Sequence, residues 1–277
     1  AADVKIQIGS DTSPQWHTIV VFGQRRGGNT YTALDITTPT DPVYLWSFTD
    51  AKIAETWSDP VIGKVKMDSS TGSTEKSVAI FAGGYDTSHN NNHGKAIFVV
   101  DVATGTKLWE YFNDGSGGDK QYMNFSIVTS PLALDLTQDG YIDRLYIGDV
   151  GGQLWKFDLS AAATLSGSLV NNWTGKRLFA ASPSQANPPA AGEYYPAQAI
   201  YAPANAAYDE NNNLWIYFGT GDRNHPNNTS SNRFYGIKDN TDMANGSHLT
   251  EASLTNVTSS ATVPTQGWYF TLSANEK

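Results

Sequence analysis

Apolar positions along the chain come in short runs of strand length, separated by clusters of polar and turn-forming residues. The clearest runs are HTIVVFG at 17–23, SVAIFAGG at 77–84, RLYIG at 144–148 and LWIYFGTG at 214–221. Short runs bounded by Gly, Asn, Asp, Ser and Pro are typical of β-strands joined by tight turns. No apolar face with the 3.6-residue period of a helix extends beyond about ten residues. The pattern therefore predicts an all-β protein.

A second kind of strand is predicted upstream of three of these runs, where a short apolar segment begins near a proline. These segments lie at 58–63, 129–134 and 195–200. A proline at the first residues of a strand is compatible with strand geometry, because the missing N–H falls outside the ladder.

A repeated unit connects the strands. Its four copies read GNTYTALDITTPTDPVYLW at 28–46, GKAIFVVDVATGTKLW at 94–109, GQLWKFDL at 152–159 and RFYGIKD at 233–239. The shared order is glycine, a short apolar strand, an aspartate, a turn and often Leu-Trp. Asp35, Asp101 and Asp158 hold the equivalent place in three copies.

Units of three or four strands, repeated along the chain, predict a β-propeller in which each unit forms one blade. The approximate blades are 1–50, 51–125, 126–195 and 196–277. Four blades is the low end of the propeller range, and GWYFTL near the end resembles a strand that leads onward, so we expect an incomplete propeller. A β-sandwich is the alternative. Trp46, Trp109 and Trp155 are expected to pack between blades.

Charge narrows the classes of partner. The 277 residues include 27 acidic and 18 basic side chains, which gives a net charge of −9, and there is no cysteine. An acidic chain lacks the cationic face that binds nucleic acid, so we expect no nucleic-acid partner. No apolar run approaches the roughly 18 residues of a membrane helix, so we expect no membrane span. Clustered carboxylates leave cations as plausible ligands.

The strongest chemical signal is the loop DLTQDGYID at 135–143. Oxygen-bearing side chains stand at loop positions 1, 3, 5 and 9, a glycine stands at position 6, and position 7 offers a backbone carbonyl. This spacing matches the first nine positions of an EF-hand calcium loop. The predicted calcium ligands are Asp135, Thr137, Asp139, Tyr141 through its carbonyl, and Asp143.

Two features depart from a true EF-hand. Position 12 is Tyr146 rather than a bidentate glutamate, and the predicted flanks are strands rather than helices. Water would then complete the coordination shell, and we expect a dissociation constant on the order of 10⁻⁶ to 10⁻⁴ M. The competing interpretation is a polar turn closed by aspartate hydrogen bonds, which is the favoured interpretation for the shorter cluster at 209–213.

The segment DLTQDGYIDRLYIGDVGGQLWKFDL at 135–159 resembles the hallmark of the PilY/PilC-type type IV pilus proteins, in their C-terminal β-propeller domain. Three further stretches are similar to other parts of that domain, namely RGGNTYTALD at 26–35, GTGDR at 219–223 and QGWY at 266–269. The similar segments occur in the same order over most of the chain.

The resemblance implies a quinoprotein-like, modified propeller in a secreted protein at the cell surface, at the pilus tip or associated with the outer membrane. It implies roles in pilus assembly, control of retraction, twitching motility and adhesion, with minor pilins and a host or abiotic surface as partners. The implied calcium ligands are the five residues above, with no enzymatic activity, no catalytic residues and no organic cofactor. Members usually carry a long N-terminal region and more blades, so we expect this chain to be part of a larger protein.

Two alternatives stay open. The copies around 33–38 and 100–109 also resemble the repeat of pyrroloquinoline quinone-dependent dehydrogenases, which are propellers that use Ca²⁺ with their cofactor. Those enzymes are generally longer, and many carry a vicinal cysteine pair that this chain lacks. A calcium-stabilised carbohydrate-binding propeller is the second alternative.

Overall fold

The computed structural model describes residues 1–69, 72–89, 93–160, 163–166, 169–170, 172–181, 198–225, 227, 231–239, 247–259, 264–274 and 276. Within these ranges the chain forms four β-sheets. The helical structure there comprises two 3₁₀ turns, Gly118–Tyr122 and Glu251–Ser253.

The first blade is an antiparallel sheet in which each strand pairs with the next in sequence. Its strands are β1 Ala2–Ile6, β2 Gln15–Gly23, β3 Tyr31–Asp35 and β4 Val43–Phe48. Side chains of β3 alternate between buried and half-buried positions, as expected of a strand with one face in the core.

The second blade repeats this order. Its strands are β5 Val61–Ser69, β6 Gly72–Ala82, β7 Ala96–Asp101 and β8 Lys107–Phe112. Every residue of β7 is buried, because both faces of the strand are covered. The strand predicted at 58–63 is present as β5, but it begins later, at Val61.

The third blade contains the segment with the acidic loop. Its strands are β9 Leu132–Leu134, β10 Arg144–Gly148 and β11 Gln153–Asp158, which are followed by β12 Ala163–Ser166, β13 Leu169–Val170 and β14 Thr174–Ala180. β14 returns beside β11, whereas β12 lies parallel to β5 and extends the sheet of the second blade. This excursion ties the second and third blades together through the backbone.

The fourth blade contains the last described strands in the sequence. Its strands are β15 Asn205–Tyr208, β16 Leu214–Gly219 and β17 Arg233–Lys238, which are followed by β18 Leu249–Thr250, β19 Thr255–Asn256 and β20 Gly267–Thr271. β20 pairs with β17, β19 runs parallel to β20, and β18 pairs with β14 of the third blade.

One predicted strand is wrong in its described part. Residues 195–197 lie outside the described residues, and Ala199 and Ile200 belong to no strand. Ile200 is buried against Gly148, where an added Cβ would overlap it. Ala199 and Ile200 therefore belong to a packed loop, and the first strand of this blade is β15, a mostly exposed segment.

The repeated aspartates form the turns that the sequence pattern indicated. The Oδ1 atoms of Asp35, Asp101 and Asp158 accept hydrogen bonds from the backbone N–H two residues ahead, at 2.9, 2.8 and 3.0 Å. Each aspartate ends a strand and starts the turn to the next, because its short side chain satisfies the first free N–H of the turn.

Three large apolar clusters lie between neighbouring blades. Trp46, Trp109 and Trp155 are buried in them, as predicted. Trp46 also donates its indole N–H to the carbonyl of Val102, 2.8 Å away in the second blade. The predicted all-β propeller with about four blades is confirmed, while the residues at which one blade passes to the next stay a prediction.

Candidate functional site

The acidic loop 135–143 connects β9 to β10 as the tip of a β-hairpin. Arg144 faces Leu134 across the ladder, and the N–H of Asp143 donates to the carbonyl of Leu134 at 2.9 Å. The predicted strand flanks are therefore present, and they hold the two ends of the loop side by side.

The backbone of the loop curls at two positions. Gln138 has φ of 60° and Gly140 has φ of +87°. The left-handed region is nearly free of strain for glycine, which explains the glycine at loop position 6. No atom lies within 4 Å of the place where a Cβ on Gly140 would stand, so the requirement is conformational rather than steric.

Two of the predicted ligands face the inside of the loop. Asp135 accepts hydrogen bonds from the backbone N–H groups of Asp139 at 3.2 Å and Gly140 at 2.7 Å. Asp143 is buried, and its Oδ2 accepts from the N–H of Leu136 at 2.7 Å. These contacts fix both carboxylates at the two ends of the curl.

Thr137 joins the same arrangement. Its N–H and its hydroxyl donate to Oδ2 of Asp143, at 3.0 and 3.1 Å. The structure thus brings together Thr137 and Asp143, loop positions 3 and 9, while their role as calcium ligands stays a prediction.

Asp139 has partners both inside and outside the loop. Its Oδ1 accepts the N–H of Tyr141 at 3.1 Å, and its carboxylate has the side chain of Thr137 as a further hydrogen-bond partner. Its Oδ2 forms an ion pair with the ammonium of Lys66 on β5. The hydrogen bond from Lys66 is the main reason that the pKa of Asp139 lies below its ordinary value. The same contact raises the pKa of Lys66.

Tyr141 rests on the second blade. Its hydroxyl donates to Glu75 on β6 at 2.8 Å, and the ammonium groups of Lys64 and Lys66 lie 5.2 and 5.1 Å from the centre of its ring. Two cations at this range of one aromatic face are weakly attractive contacts. Tyr141 was predicted to contribute only its backbone carbonyl, and its side chain also holds the loop against the second blade.

Ile142 anchors the same surface. Its N–H donates to the carbonyl of Lys64 at 2.8 Å, and its side chain covers Gly63, where a Cβ would overlap it. The loop is therefore docked on the β5–β6 hairpin through backbone, apolar and charged contacts.

Sequence reasoning missed Lys66 and Glu75 because they lie 73 and 66 positions from their loop partners. Nothing in the local pattern marks them as belonging to the site. The one available signal is the alternation of Lys64 and Lys66 on β5, which places both on one face of the strand.

The donor set has the chemistry that a calcium ion takes, namely carboxylate, hydroxyl and carbonyl oxygens on a curled loop. Its arrangement is only partly assembled. Within the described ranges, no three His, Asp or Glu side chains are placed together to hold a metal ion. Asp139 is the loop carboxylate that pairs with a lysine of another blade, and release from Lys66 would free its Oδ2 for an ion.

The other acidic cluster, 209–213, forms a hairpin turn of its own. Asp209 accepts the backbone N–H groups of Asn211 and Asn213 at 3.0 and 2.8 Å and the indole N–H of Trp215 at 2.9 Å. These bonds satisfy the carboxylate without an ion, in keeping with the favoured interpretation from the sequence.

A buried ion cluster lies beyond the end of the acidic loop. Arg144, the residue after Asp143, donates from Nη1 to Asp239 at 2.9 Å, and Lys156 approaches the same carboxylate at 2.5 Å. Tyr146 donates to it at 2.6 Å. The strand that leaves the loop is thereby fixed to the fourth blade.

Four mainly antiparallel sheets, packed side by side on apolar clusters, define the molecule as a β-propeller. A sequence model of the PilY1 beta-propeller domain matches residues 2–261. The chain therefore belongs to the PilY1 β-propeller domain family, as the resemblance predicted.

Similar proteins also carry the PilY1 name. A type IV pilus biogenesis factor PilY1 homolog of Xylella fastidiosa is 32% identical over 156 residues, covering 52% of this chain and 10% of that protein. Type IV pilus biogenesis factor PilY1 of Pseudomonas aeruginosa (strain UCBPP-PA14) is 26% identical over 147 residues, covering 52% of this chain and 11% of that protein. The matched regions thus span about a tenth of these relatives.

The fold also resembles a solved structure, the Pseudomonas aeruginosa PilY1 C-terminal domain. The TM-score is 0.64 at 20% identity, with 99% of this chain and 61% of that chain covered. This coverage agrees with the predicted incomplete propeller. Among the described residues, the chain has no helix of the length and apolarity that crossing a membrane requires.

Proposed function

We propose that this chain is the calcium-binding, non-enzymatic propeller of a type IV pilus biogenesis factor. In this role it supports pilus assembly, control of retraction, twitching motility and surface adhesion from the cell surface, with minor pilins as partners. The observation that carries the proposal is membership of the PilY1 β-propeller family over residues 2–261. The names of the relatives support the pilus role, and the oxygen donors on the curled acidic loop support the ion.

Calcium would be held by oxygen atoms from five residues of the loop. They are the side chains of Asp135, Thr137, Asp139 and Asp143 and the carbonyl of Tyr141. When bound, the ion supplies two positive charges to a loop that carries three carboxylates. Asp135 and Asp143 already stand at the two ends of the curl, since loop N–H groups orient them.

The contacts of the loop would transmit the binding of a calcium ion to the neighbouring blades. It touches the second blade through Tyr141 and Ile142, and it leads directly into Arg144, which is bound to the fourth blade. An ion that reorders the loop therefore acts where three blades are connected. We propose that this is how calcium changes the surface offered to pilus partners.

The test uses the full-length protein in its own bacterium. Asp139→Ala is introduced into the chromosomal gene, with Asp209→Ala as the matched control in the other acidic turn. We expect Asp139→Ala to change surface piliation and the twitching zone in a calcium-dependent way, while Asp209→Ala resembles the unaltered strain. Equal piliation and twitching of all three strains, at equal protein level, would contradict the proposal.

A further inference from the structure

Lys66 brings a positive charge from a different blade to the acidic loop. Its ammonium pairs with Oδ2 of Asp139, and both side chains remain about one third exposed, at 39% and 32%. Lys66 lies on β5, on the hairpin against which the loop is docked. The contact therefore joins the central residue of the loop to the neighbouring blade.

The three loop carboxylates differ in one respect. Asp135 and Asp143 accept hydrogen bonds from N–H and hydroxyl groups of the loop. Asp139 has the N–H of Tyr141 and the side chain of Thr137 as loop partners, and it also pairs with Lys66 from another blade. An ion that enters the loop finds two carboxylates already oriented. The third has to be released from an existing ion pair.

Electrostatics gives the pair a definite role. Three carboxylates within nine residues repel one another, and an ammonium at hydrogen-bond distance relieves part of that repulsion. The raised pKa of Lys66 and the lowered pKa of Asp139 both follow from this contact. Lys66 thus supplies, from inside the molecule, the kind of charge that a bound cation would supply.

We propose that Lys66 is an intramolecular counter-cation that competes with calcium for Asp139 and thereby sets the calcium affinity of the loop. The inference rests on the calcium site proposed above. Calcium binding and the Lys66–Asp139 ion pair exclude each other, so binding of the ion loosens this contact between the second and third blades.

The remaining docking contacts explain why the exchange can stay local. The Tyr141–Glu75 hydrogen bond and the Ile142–Lys64 backbone bond do not involve Asp139. They hold the loop on β5 and β6 while the side chain of Asp139 changes partner. The ion therefore exchanges one contact rather than undocking the loop.

Lys64 provides a matched control on the same strand. It has the same charge, lies at a similar distance from the ring of Tyr141 and pairs with Glu75 at 3.4 Å rather than with Asp139. Neutralising Lys64 changes the net charge of the surface as much as neutralising Lys66. A difference between the two variants therefore measures the specific contact.

The experiment is a calorimetric titration of chelator-stripped protein with CaCl₂. The variants are Lys66→Met, Lys66→Arg and Lys64→Met, each checked for an unchanged circular dichroism spectrum. We expect Lys66→Met to bind Ca²⁺ roughly tenfold more tightly than the unaltered chain, because one competing charge is gone. Lys66→Arg keeps the charge and should stay close to the unaltered value, and Lys64→Met should change the affinity less than threefold, as roughly expected for a screened charge.

A second readout follows Lys66 directly. Acetylation of exposed amines, quantified by peptide mass spectrometry, should increase at Lys66 when Ca²⁺ is added and change little at Lys64. Unaltered affinity of Lys66→Met, beside clear binding by the original chain, would overturn the competition and leave the calcium site intact. Absence of binding in every protein would overturn both the calcium site and the competition. Binding by Lys66→Met alone would support the competition.

Discussion

The guanidinium of Arg144 donates a hydrogen bond across 2.9 Å to the carboxylate of Asp239 and joins the third blade to the fourth. Asp239 is almost fully buried, and Lys156 on the other oxygen is equally enclosed, with 2% and 4% of their side chains exposed. Since Arg144 follows Asp143 in sequence, the end of the acidic loop is attached to a buried cluster of charged side chains.

Replacing Asp239 should destabilise the fold. Asp239→Ala leaves Lys156 and Arg144 enclosed without their shared carboxylate, and breaking a buried pair in this way costs roughly 3–5 kcal/mol. Urea unfolding followed by tryptophan fluorescence measures the change. A loss below about 1 kcal/mol, the range of surface pairs, would show that water reaches the cluster.

The same cluster predicts that the free energy of unfolding decreases at acidic pH. Burial alone would raise the pKa of Asp239, but the charges of Lys156 and Arg144 and the hydrogen bonds from Lys156 and Tyr146 bring it below its ordinary value of 3.8. The unfolded chain therefore takes up a proton first as the pH falls. The stabilisation is present at neutral pH and is lost as the pH falls below about 4 and through the lower folded pKa.

Urea unfolding at pH 7, 5, 4 and 3 measures this loss of stability at acidic pH. Asp239→Asn should be less stable at pH 7 and should lose less stability than the original chain between pH 4 and 3. Parallel curves for the two proteins would contradict the assignment.

Asp149 predicts a second stability effect. Its carboxylate is fully buried and accepts four N–H donors, from the backbones of Gly151 and Gln153, the amide of Gln153 and the indole of Trp155. Burial raises its pKa to about 6, so it is mostly ionised at neutral pH. Asp149→Asn turns an NH₂ group toward N–H donors and should cost roughly 1–3 kcal/mol.

Asp209→Asn is the control for Asp149→Asn. Asp209 forms the same pattern with Trp215 six residues ahead, but in a hairpin turn that is only partly buried. Water can serve the displaced donors there, so thermal unfolding should shift less for this variant. Equal shifts for the two variants would mean that burial does not set the cost.

Gly84 and Gly140 have nearly equal positive φ angles but differ in the space available for a side chain. Gly84 has φ of +92° and an added Cβ would collide with the backbone carbonyl of Glu55, whereas Gly140 has φ of +87° in open space. Gly140→Ala should therefore cost about 1–2 kcal/mol, the price of a left-handed residue. Gly84→Ala should cost clearly more, because two backbone segments have to separate. Comparable melting temperatures for the two variants would contradict this difference.

The sequence pattern predicted the structural features that depend on local contacts. The run at 144–148 is a strand with the predicted bounds, and the turn aspartates Asp35, Asp101 and Asp158 each cap their own turn. These features depend on contacts within a few residues, which periodicity and turn chemistry describe.

The remaining features depend on distant contacts. β15 at Asn205–Tyr208 is a mostly exposed segment without Val, Ile or Leu, so no strand-like apolar run marks it, while Ala199 and Ile200 are buried in a loop. Lys66 pairs with Asp139 across 73 positions, and Arg144 with Asp239 across 95. Only the stacking of blades brings these residues together, and a single sequence carries no local sign of it.

The most direct test of the account is a calorimetric calcium titration of the chelator-stripped chain beside Asp139→Ala and Asp209→Ala. We predict one site with a dissociation constant on the order of 10⁻⁶ to 10⁻⁴ M, retained in Asp209→Ala and weakened at least roughly tenfold in Asp139→Ala. No heat of binding up to millimolar calcium, or equal binding by all three proteins, would contradict the 135–143 loop as the calcium site.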